Sequence, residues 1–114
     1  MIKSIVCFKR KPGMSVEEFR RYWLEQHPRV VTVLPGLRRY VQNHPPLSAY
    51  RDGREPAFDG IAEVWFDDRD ALRAASRGPV FEAVLADEAN FMNPEGRTVL
   101  LLSLIHISEP TRPY

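Results

Sequence analysis

Cysteine is nearly absent from this sequence, which has one such residue, Cys7, among its 114. A single cysteine cannot form an intrachain disulfide, and its isolation excludes the zinc sites that are built from several cysteines. This usage fits a reducing cytoplasm, which is where we expect the protein to reside. Nothing close to Cys7 in the sequence would activate a thiol, so we interpret it as a small buried residue rather than a nucleophile.

Long apolar runs and an excess of charge of one sign are missing as well. No stretch approaches the ~18 apolar residues of a membrane-spanning helix, and the opening MIKSIVCF does not resemble a signal peptide. The 16 basic and 15 acidic residues are intermixed and give a formal net charge of +1, which offers no electrostatic footprint for nucleic acid or an anionic membrane. No glycine-rich loop follows a predicted strand, so we expect no nucleotide site either.

The last residues, LSLIHISEPTRPY, do not continue the pattern of the rest of the chain. Residues 102–112 match, residue for residue, the in-frame translation of a transposase adapter used in DNA sequencing libraries. We therefore interpret residues 102–114, with His106, as a non-native tail and residues 1–101 as the domain. A genuine flexible tail is the alternative.

Hydrophobic periodicity predicts six elements in the order β-α-β-β-α-β. IKSIVCFKR, LRRYVQNH, FDGIAEVWF and RTVLLL have the composition and alternation of strands. Ser15 and Glu18 form a capping box before the first helix, and a second helix is expected after Asp67 or Asp68, with a break at Gly78. This order predicts the α+β ferredoxin-like fold, a four-stranded antiparallel sheet covered by two helices on one face. The open face needs a partner, and a homodimer is the simplest one.

His27 stands directly before Pro28, inside the first predicted helix. Proline lacks a backbone donor and disfavours helical geometry in the residue before it, so the helix should open here. His27 follows Trp23 by four residues and therefore lies along the buried edge, in a stripe with Phe19, Trp23, Val30, Val31 and Leu34. It is either a half-buried structural histidine beside a kink or a side chain turned into a pocket between helix and sheet.

The second predicted strand offers a partner for that histidine. Tyr40, Gln42 and His44 share one face of it, and since the strand follows the first helix directly, Tyr40 can approach His27. An imidazole with a pKa near ~6.5 moves protons at neutral pH, and a phenol beside it stabilises a developing enolate. We predict His27 and Tyr40 as catalytic residues, and further candidates for substrate binding are Asn43, His44, Asp59, Trp23 and Trp65.

A metal or other cofactor is not expected. His27, His44 and a carboxylate are a conceivable set of metal ligands, but no HxH, HxxxH or HExxH spacing occurs. Heme is conceivable only with His27 as its axial ligand. Glu63 is predicted on the same strand face as Asp59 and Trp65, where it is either an acid with a raised pKa or, as we prefer, an ion-pair partner at a dimer seam.

The ordered segments MSVEEFRRYWLEQHPRVV, PGLRRYVQNH, FDGIAEVWFDD and DEANFMNP resemble the EthD family of the dimeric α+β barrel proteins. The resemblance covers about residues 2–101 and implies an EthD-like domain that pairs into such a barrel. His27 and Tyr40 match a histidine and a tyrosine that line the active site of a lactone methylisomerase in this superfamily. That enzyme's further loop histidine has no match between Ala49 and Phe58.

Related barrels include cyclases, dehydratases and decarboxylases. The resemblance therefore implies a cofactor-free isomerase or lyase that moves protons on a small hydrophobic carbonyl compound or lactone. The alternatives are a non-catalytic small-molecule carrier or accessory protein of a degradation pathway, and a dimerisation domain that has no pocket.

Overall fold

The computed structural model describes residues 1–105, which form one sheet and four helices. The strands are β1 (Ile2–Phe8), β2 (Arg39–Asn43), β3 (Gly60–Phe66) and β4 (Thr98–Ser103). The helices are α1 (Val16–Glu25), α2 (Pro28–Val31), α3 (Arg69–Ala75) and α4 (Pro79–Glu88), and a 3-10 segment spans Leu47–Gly53. None of the helices in this described part of the chain is long and apolar enough to cross a membrane.

The four strands form an antiparallel sheet in the order β2-β3-β1-β4. This topology and the helices confirm the predicted α+β ferredoxin-like fold. The predicted tail overlaps the sheet by two residues, because β4 includes Leu102 and Ser103, which pair with Lys3 and Ile2. Residues 106–114, and His106 with them, lie outside the described residues.

The first predicted helix is interrupted where the His-Pro pair predicts a break. Ser15 caps α1 by accepting a hydrogen bond from the backbone of Glu18 at 3.1 Å, as the capping box predicts. Helix α1 ends at Glu25, and Pro28 begins α2 at a position where its missing donor costs nothing. Gln26 and His27 are the two residues between the helices, so the break sets the direction of the His27 side chain.

The second helical region also divides as predicted. Asp68 caps α3 through the backbone of Ala71 at 2.8 Å, and Gly78 lies directly before Pro79 at the start of α4. Both helices pack on the same sheet face as α1 and α2, and α2 contacts α4 directly. This contact brings the residue at the α1–α2 break close to the last turn of α4.

The core consists of two clusters. An aromatic cluster lies where β1 meets α1 and contains Phe8, Phe19, Trp23, Phe91 and Met92. A largely aliphatic cluster lies towards the other end of the sheet and contains Ile2, Val31, Leu34, Phe66, Ala75 and Val84. Phe8 and Trp23 meet edge to face with 5.1 Å between ring centroids. The clusters therefore fix the sheet to the helices at both ends.

The other face of the sheet carries a mixture of apolar and charged side chains, and no helix within residues 1–105 covers it. Glu63 on this face pairs with Lys3 at 3.1 Å and accepts a hydrogen bond from Asn43 at 2.9 Å. The hydrogen bond from Asn43 outweighs the opposing effect of burial, so the pKa of Glu63 is lowered. Glu63 is therefore an ion-pair partner within the chain and not a carboxylic acid with a raised pKa.

Candidate functional site

A cavity of about 410 Å³ lies between the inner face of the sheet and the helices. Its volume is within the ~300–1,000 Å³ typical of small-molecule sites. Most of its wall is apolar and comes from both core clusters, and the lining includes Val6, Phe8, Trp23, Val64, Phe66 and Phe91. The prediction of a pocket between helix and sheet is therefore confirmed. The alternative of a dimerisation domain that has no pocket does not fit this structure.

A few polar side chains interrupt this apolar wall. They are Ser4, His27, Tyr40, Ser76, Glu88 and Arg97. The guanidinium of Arg97 donates two parallel hydrogen bonds, of 3.0 and 3.1 Å, to the carboxylate of Glu88, so the two charges are paired. His27 and Tyr40 are the other two titratable residues in this set. They make no hydrogen bond to each other, and neither pairs with a charged residue of the cavity wall.

His27 is held at the wall by the break between α1 and α2. Its ring is buried, with the residue 5% exposed, and it packs against Phe91 with 4.6 Å between ring centroids. Ring nitrogen Nδ1 lies 2.7 Å from Oδ2 of Asp87 in α4. Among residues 1–105, no hydrogen bond reaches the other ring nitrogen, Nε2. His27 thus has one nitrogen fixed by a carboxylate and the other available to a ligand.

Asp87 holds His27 from behind the cavity wall. Burial acts to raise the pKa of Asp87, but the hydrogen bonds from Tyr22, His27 and Asn90 outweigh it and lower that pKa. Tyr22 donates at 2.5 Å and Asn90 at 3.0 Å to the same carboxylate oxygen, Oδ1. Because an ionised carboxylate only accepts hydrogen bonds, Nδ1 of His27 carries the proton, and in the neutral ring Nε2 is then the basic nitrogen.

Tyr40 lines the same cavity from β2 but makes no hydrogen bond to His27. Its hydroxyl oxygen accepts a hydrogen bond from Nε2 of Gln42 at 2.7 Å. Burial raises the pKa of Tyr40, against hydrogen bonds from the Gln42 and Trp23 side chains that act to lower it. Tyr40 is therefore a neutral phenol at pH 7. The predicted pairing needs one correction, because the hydrogen-bonding partner of His27 is Asp87 and not Tyr40.

His44 and Asn43 lie away from the main cavity. His44 packs on Trp23 with 4.4 Å between ring centroids, and its Nε2 is 3.0 Å from Oε1 of Gln42. Burial, and then the nearby charge of Arg20, lower the pKa of His44. Both residues line a separate pocket of about 230 Å³, and neither lines the main cavity.

Asp59 and Trp65 are also placed elsewhere. Asp59 is fully buried just before β3, where it accepts hydrogen bonds from Arg10 at 2.8 and 2.9 Å and from Tyr50 at 2.7 Å. Burial acts to raise the pKa of Asp59, but these partners outweigh it and the pKa is lowered. Trp65 lies on the uncovered face of the sheet, beside Lys3. Of the five predicted substrate-binding residues, Trp23 alone lines the main cavity.

Two residues of the site, Asp87 and Gln42, were not among the predicted site residues. Asp87 lies 60 positions after His27, so no local spacing connects the two. The signal that points to Asp87 is its helical spacing of four from Phe91, which is buried, although α4 itself ends at Glu88 and Phe91 lies in the turn that follows. In the described residues, no group of three or more His, Cys, Asp or Glu side chains is arranged to hold a metal ion.

The fold and the cavity define a ferredoxin-like α+β domain with a small-molecule-sized pocket on its helical side. The family model for the EthD domain matches residues 11–95. The chain therefore belongs to the EthD family, as its motifs predict. No curated protein sequence matches the chain.

Several solved structures are similar to this one. An EthD family protein from Bacillus halodurans has a TM-score of 0.71 at 19% identity, covering 92% of this chain and 100% of that chain. SnoaB from Streptomyces nogalater, a cofactor-independent oxygenase, has a TM-score of 0.65 at 15% identity, covering 93% and 94%.

A dimeric ferredoxin-like protein of unknown function from Thermobifida fusca has a TM-score of 0.67 at 17% identity, covering 90% of each chain. At these identities the likeness shows the fold.

Proposed function

We propose that this protein is a cofactor-independent enzyme that transfers a proton on a small hydrophobic carbonyl compound or lactone. Isomerisation, cyclisation, dehydration and decarboxylation all use such a step. The observation that carries the proposal is the 2.7 Å contact between Asp87 and Nδ1 of His27, which leaves Nε2 as the basic nitrogen of a residue lining an apolar cavity.

The first step begins with the substrate in the cavity and a C–H bond beside its carbonyl group near His27. Nε2 of His27 takes the proton, and the electron pair of the broken C–H bond moves onto the carbonyl oxygen as an enolate. Asp87, which is ionised, stabilises the imidazolium that forms at His27. The second step returns the proton to a different atom of the substrate, so that His27 is neutral again at the end.

Tyr40 stabilises the charge that develops on the substrate oxygen. Its phenol is neutral at pH 7 because burial raises its pKa, so it has a proton to donate. A hydrogen bond to an enolate is stronger than one to a neutral carbonyl, and it is stronger still in a site from which water is excluded. Tyr40 therefore favours the enolate over the bound substrate, which is the condition for lowering the barrier.

The apolar wall of the cavity supports the choice of substrate. Phe8, Trp23 and Phe91 present aromatic surface to the cavity, and burying apolar ligand area there is worth roughly 25 cal/mol per Å². A small hydrophobic molecule with one carbonyl group satisfies both the wall and the His27–Tyr40 pair. The name of SnoaB as a cofactor-independent oxygenase also supports chemistry without a cofactor on this fold.

Turnover and binding measured together test this proposal. Small lactones and aromatic ketones are incubated with the wild type and with His27→Gln, products are identified by mass spectrometry, and affinity is measured through quenching of tryptophan fluorescence. We expect His27→Gln to reduce turnover by about 10²–10⁴-fold and to leave affinity within about threefold.

A non-catalytic carrier predicts a different result. Compounds of the panel would bind with affinities that depend neither on pH nor on His27, and none would be converted. That outcome, obtained with folded wild-type protein, would replace the enzyme with a binding or accessory protein.

A further inference from the structure

We propose that Gln42 is a positioning residue that fixes the hydroxyl proton of Tyr40 towards the cavity. This inference rests on the proposed function, in which the Tyr40 hydroxyl donates a hydrogen bond to the substrate oxygen, and it says what directs that hydroxyl proton. It concerns a residue that is not part of the cavity wall and that bonds to two residues of the wall, the hydroxyl of Tyr40 and the backbone carbonyl of Trp23.

The orientation of the Gln42 amide is set by the backbone of α1. Its Nε2 lies 2.7 Å from the carbonyl oxygen of Trp23. A carbonyl oxygen has no proton to donate, so the group that faces it must be the NH₂ end of the amide. On the other side, Oε1 of Gln42 faces Nε2 of His44 at 3.0 Å, which is consistent with the same orientation.

The Trp23 carbonyl is available because of the His-Pro break. In a regular helix the backbone N–H of His27 would bond to the carbonyl of Trp23, four residues earlier. In this structure it bonds instead to Tyr22, at 3.2 Å, and Pro28 has no N–H to offer. The break at the end of α1 therefore does two things: it aims His27 at the cavity and it supplies the acceptor that orients Gln42.

The consequence for Tyr40 follows from donor and acceptor counting. The NH₂ group of Gln42 also lies 2.7 Å from the hydroxyl oxygen of Tyr40. A donor on this side forces the phenol to accept there, so its own proton must point elsewhere. Tyr40 lines the cavity, and we assign the proton to that direction, where it meets an oxygen of the ligand.

The charged and titratable groups around this arrangement are few. His44, directly after β2, faces the other side of the Gln42 amide, and the charge of Arg20 on α1 acts to lower the pKa of His44. His27 also lines the cavity and is joined to Asp87. Among the described residues, none of these groups makes a hydrogen bond to the Tyr40 hydroxyl. The Trp23 side chain, which also acts to lower the pKa of Tyr40, is the same in every variant of Gln42, so the change in pKa reports the donor that the substitution removes.

The test is the pKa of Tyr40 in variants of Gln42, which requires no substrate. The protein is labelled with 3-fluorotyrosine, which titrates below the pH at which tyrosine does, and Tyr40→Phe identifies its fluorine signal. Gln42→Met keeps the side-chain length and removes the donor to the phenolate. Gln42→Glu replaces it with an acceptor that carries a negative charge. Gln26→Leu, at the chain's other glutamine, which is exposed, is the control.

We expect Gln42→Met to raise the pKa of Tyr40 by about one unit. Gln42→Glu should raise it further, since the carboxylate both accepts the phenol proton and repels the phenolate. Gln26→Leu should leave it unchanged. An unchanged or lowered pKa of Tyr40 in both Gln42 variants would overturn the inference. Failure of the proposed function would instead appear as absent turnover with this pKa pattern intact.

Discussion

Nδ1 of His27 and Oδ2 of Asp87 lie 2.7 Å apart, although the two residues are 60 positions apart in the sequence. The contact joins the break between α1 and α2 to the last turn of α4. It decides which nitrogen of His27 is basic, and that nitrogen belongs to a residue in the wall of an apolar cavity. An acceptor-only carboxylate behind a histidine is an arrangement that suits a general base.

Asp87→Asn should disturb the tautomer of His27. The amide of Asn can donate to Nδ1, which stabilises the ring with its proton on Nε2, where it cannot act as a base. We expect turnover of a substrate to fall by about 10²-fold, and ¹⁵N spectra of the imidazole should show the proton moving from Nδ1 to Nε2. Asp70→Asn, at a carboxylate that is 91% exposed, should change neither. An Nδ1-protonated ring in Asp87→Asn would contradict this reading of the contact.

Asp59 should make the protein sensitive to acid. Its pKa in the folded protein lies below 3.8, its ordinary value, so the unfolded chain binds more protons in acid. The stability that Asp59 contributes is therefore complete above about pH 4 and is lost as the pH falls through the folded-state pKa. Asp59→Asn should lower the free energy of unfolding by about 2–3 kcal/mol at neutral pH, because Arg10 loses a buried partner.

Urea unfolding at two pH values tests that prediction. The difference between wild type and Asp59→Asn should be smaller at the lower, acidic pH, because protonation of the wild-type carboxyl removes the charge that Asn also lacks. Asp52→Asn, at a side chain that is 84% exposed, is the control and should have little effect at either pH. An equal loss at both pH values would show that Asp59 stabilises the fold independently of its charge.

Gly60 should tolerate no side chain. A Cβ atom at this position would lie 2.7 Å from Cζ of Phe8 and 2.7 Å from Cζ3 of Trp23, both in the aromatic cluster. Gly60→Ser should therefore cost about 1–3 kcal/mol of unfolding free energy by overpacking. Gly78→Ser has open space around its Cβ and sits at the cap of α4, so it should be neutral or slightly stabilising. Equal Tm values for the two variants would be inconsistent with this packing.

Dimerisation should depend on the uncovered sheet face. Ile5 lies at the centre of that face, opposite Leu100 of β4 and Glu63 of β3. Ile5→Glu places a charge where two sheets would pack, and burying it unpaired costs several kcal/mol, so we expect a monomer in sedimentation equilibrium. Leu24→Glu, at a leucine that is 57% exposed on α1, should remain dimeric. If the Ile5→Glu protein remained a dimer, this face would be excluded as the interface.

Local signals in the sequence predicted the elements because each one has a short-range physical cause. The Ser15 cap, the break at Pro28 and the break at Gly78 all depend on residues within a few positions of one another, and the structure has each of them. Alternation in β2 also predicted that Tyr40 faces the helices, since a strand has a fixed period of two.

The partners within the site are long-range and could not be predicted in the same way. Nothing in the spacing connects His27 with Asp87, and packing of α4 against α2 is what brings them together. Asp59 was assigned a strand face by alternation, but it stands one residue before β3, where its carboxylate meets Arg10 and Tyr50. Such contacts depend on the tertiary fold.

The most direct test of the central claim is the exchange of a carbon-bound proton with solvent. A small ketone or lactone that binds in the cavity is incubated in D₂O, and deuterium entering the carbon beside its carbonyl is followed by NMR. The account predicts exchange faster than the uncatalysed rate with the wild type and with Asp70→Asn, and a loss of about 10²-fold or more with His27→Gln. Exchange by a bound compound at the same rate in wild type and His27→Gln would show that His27 is not the base.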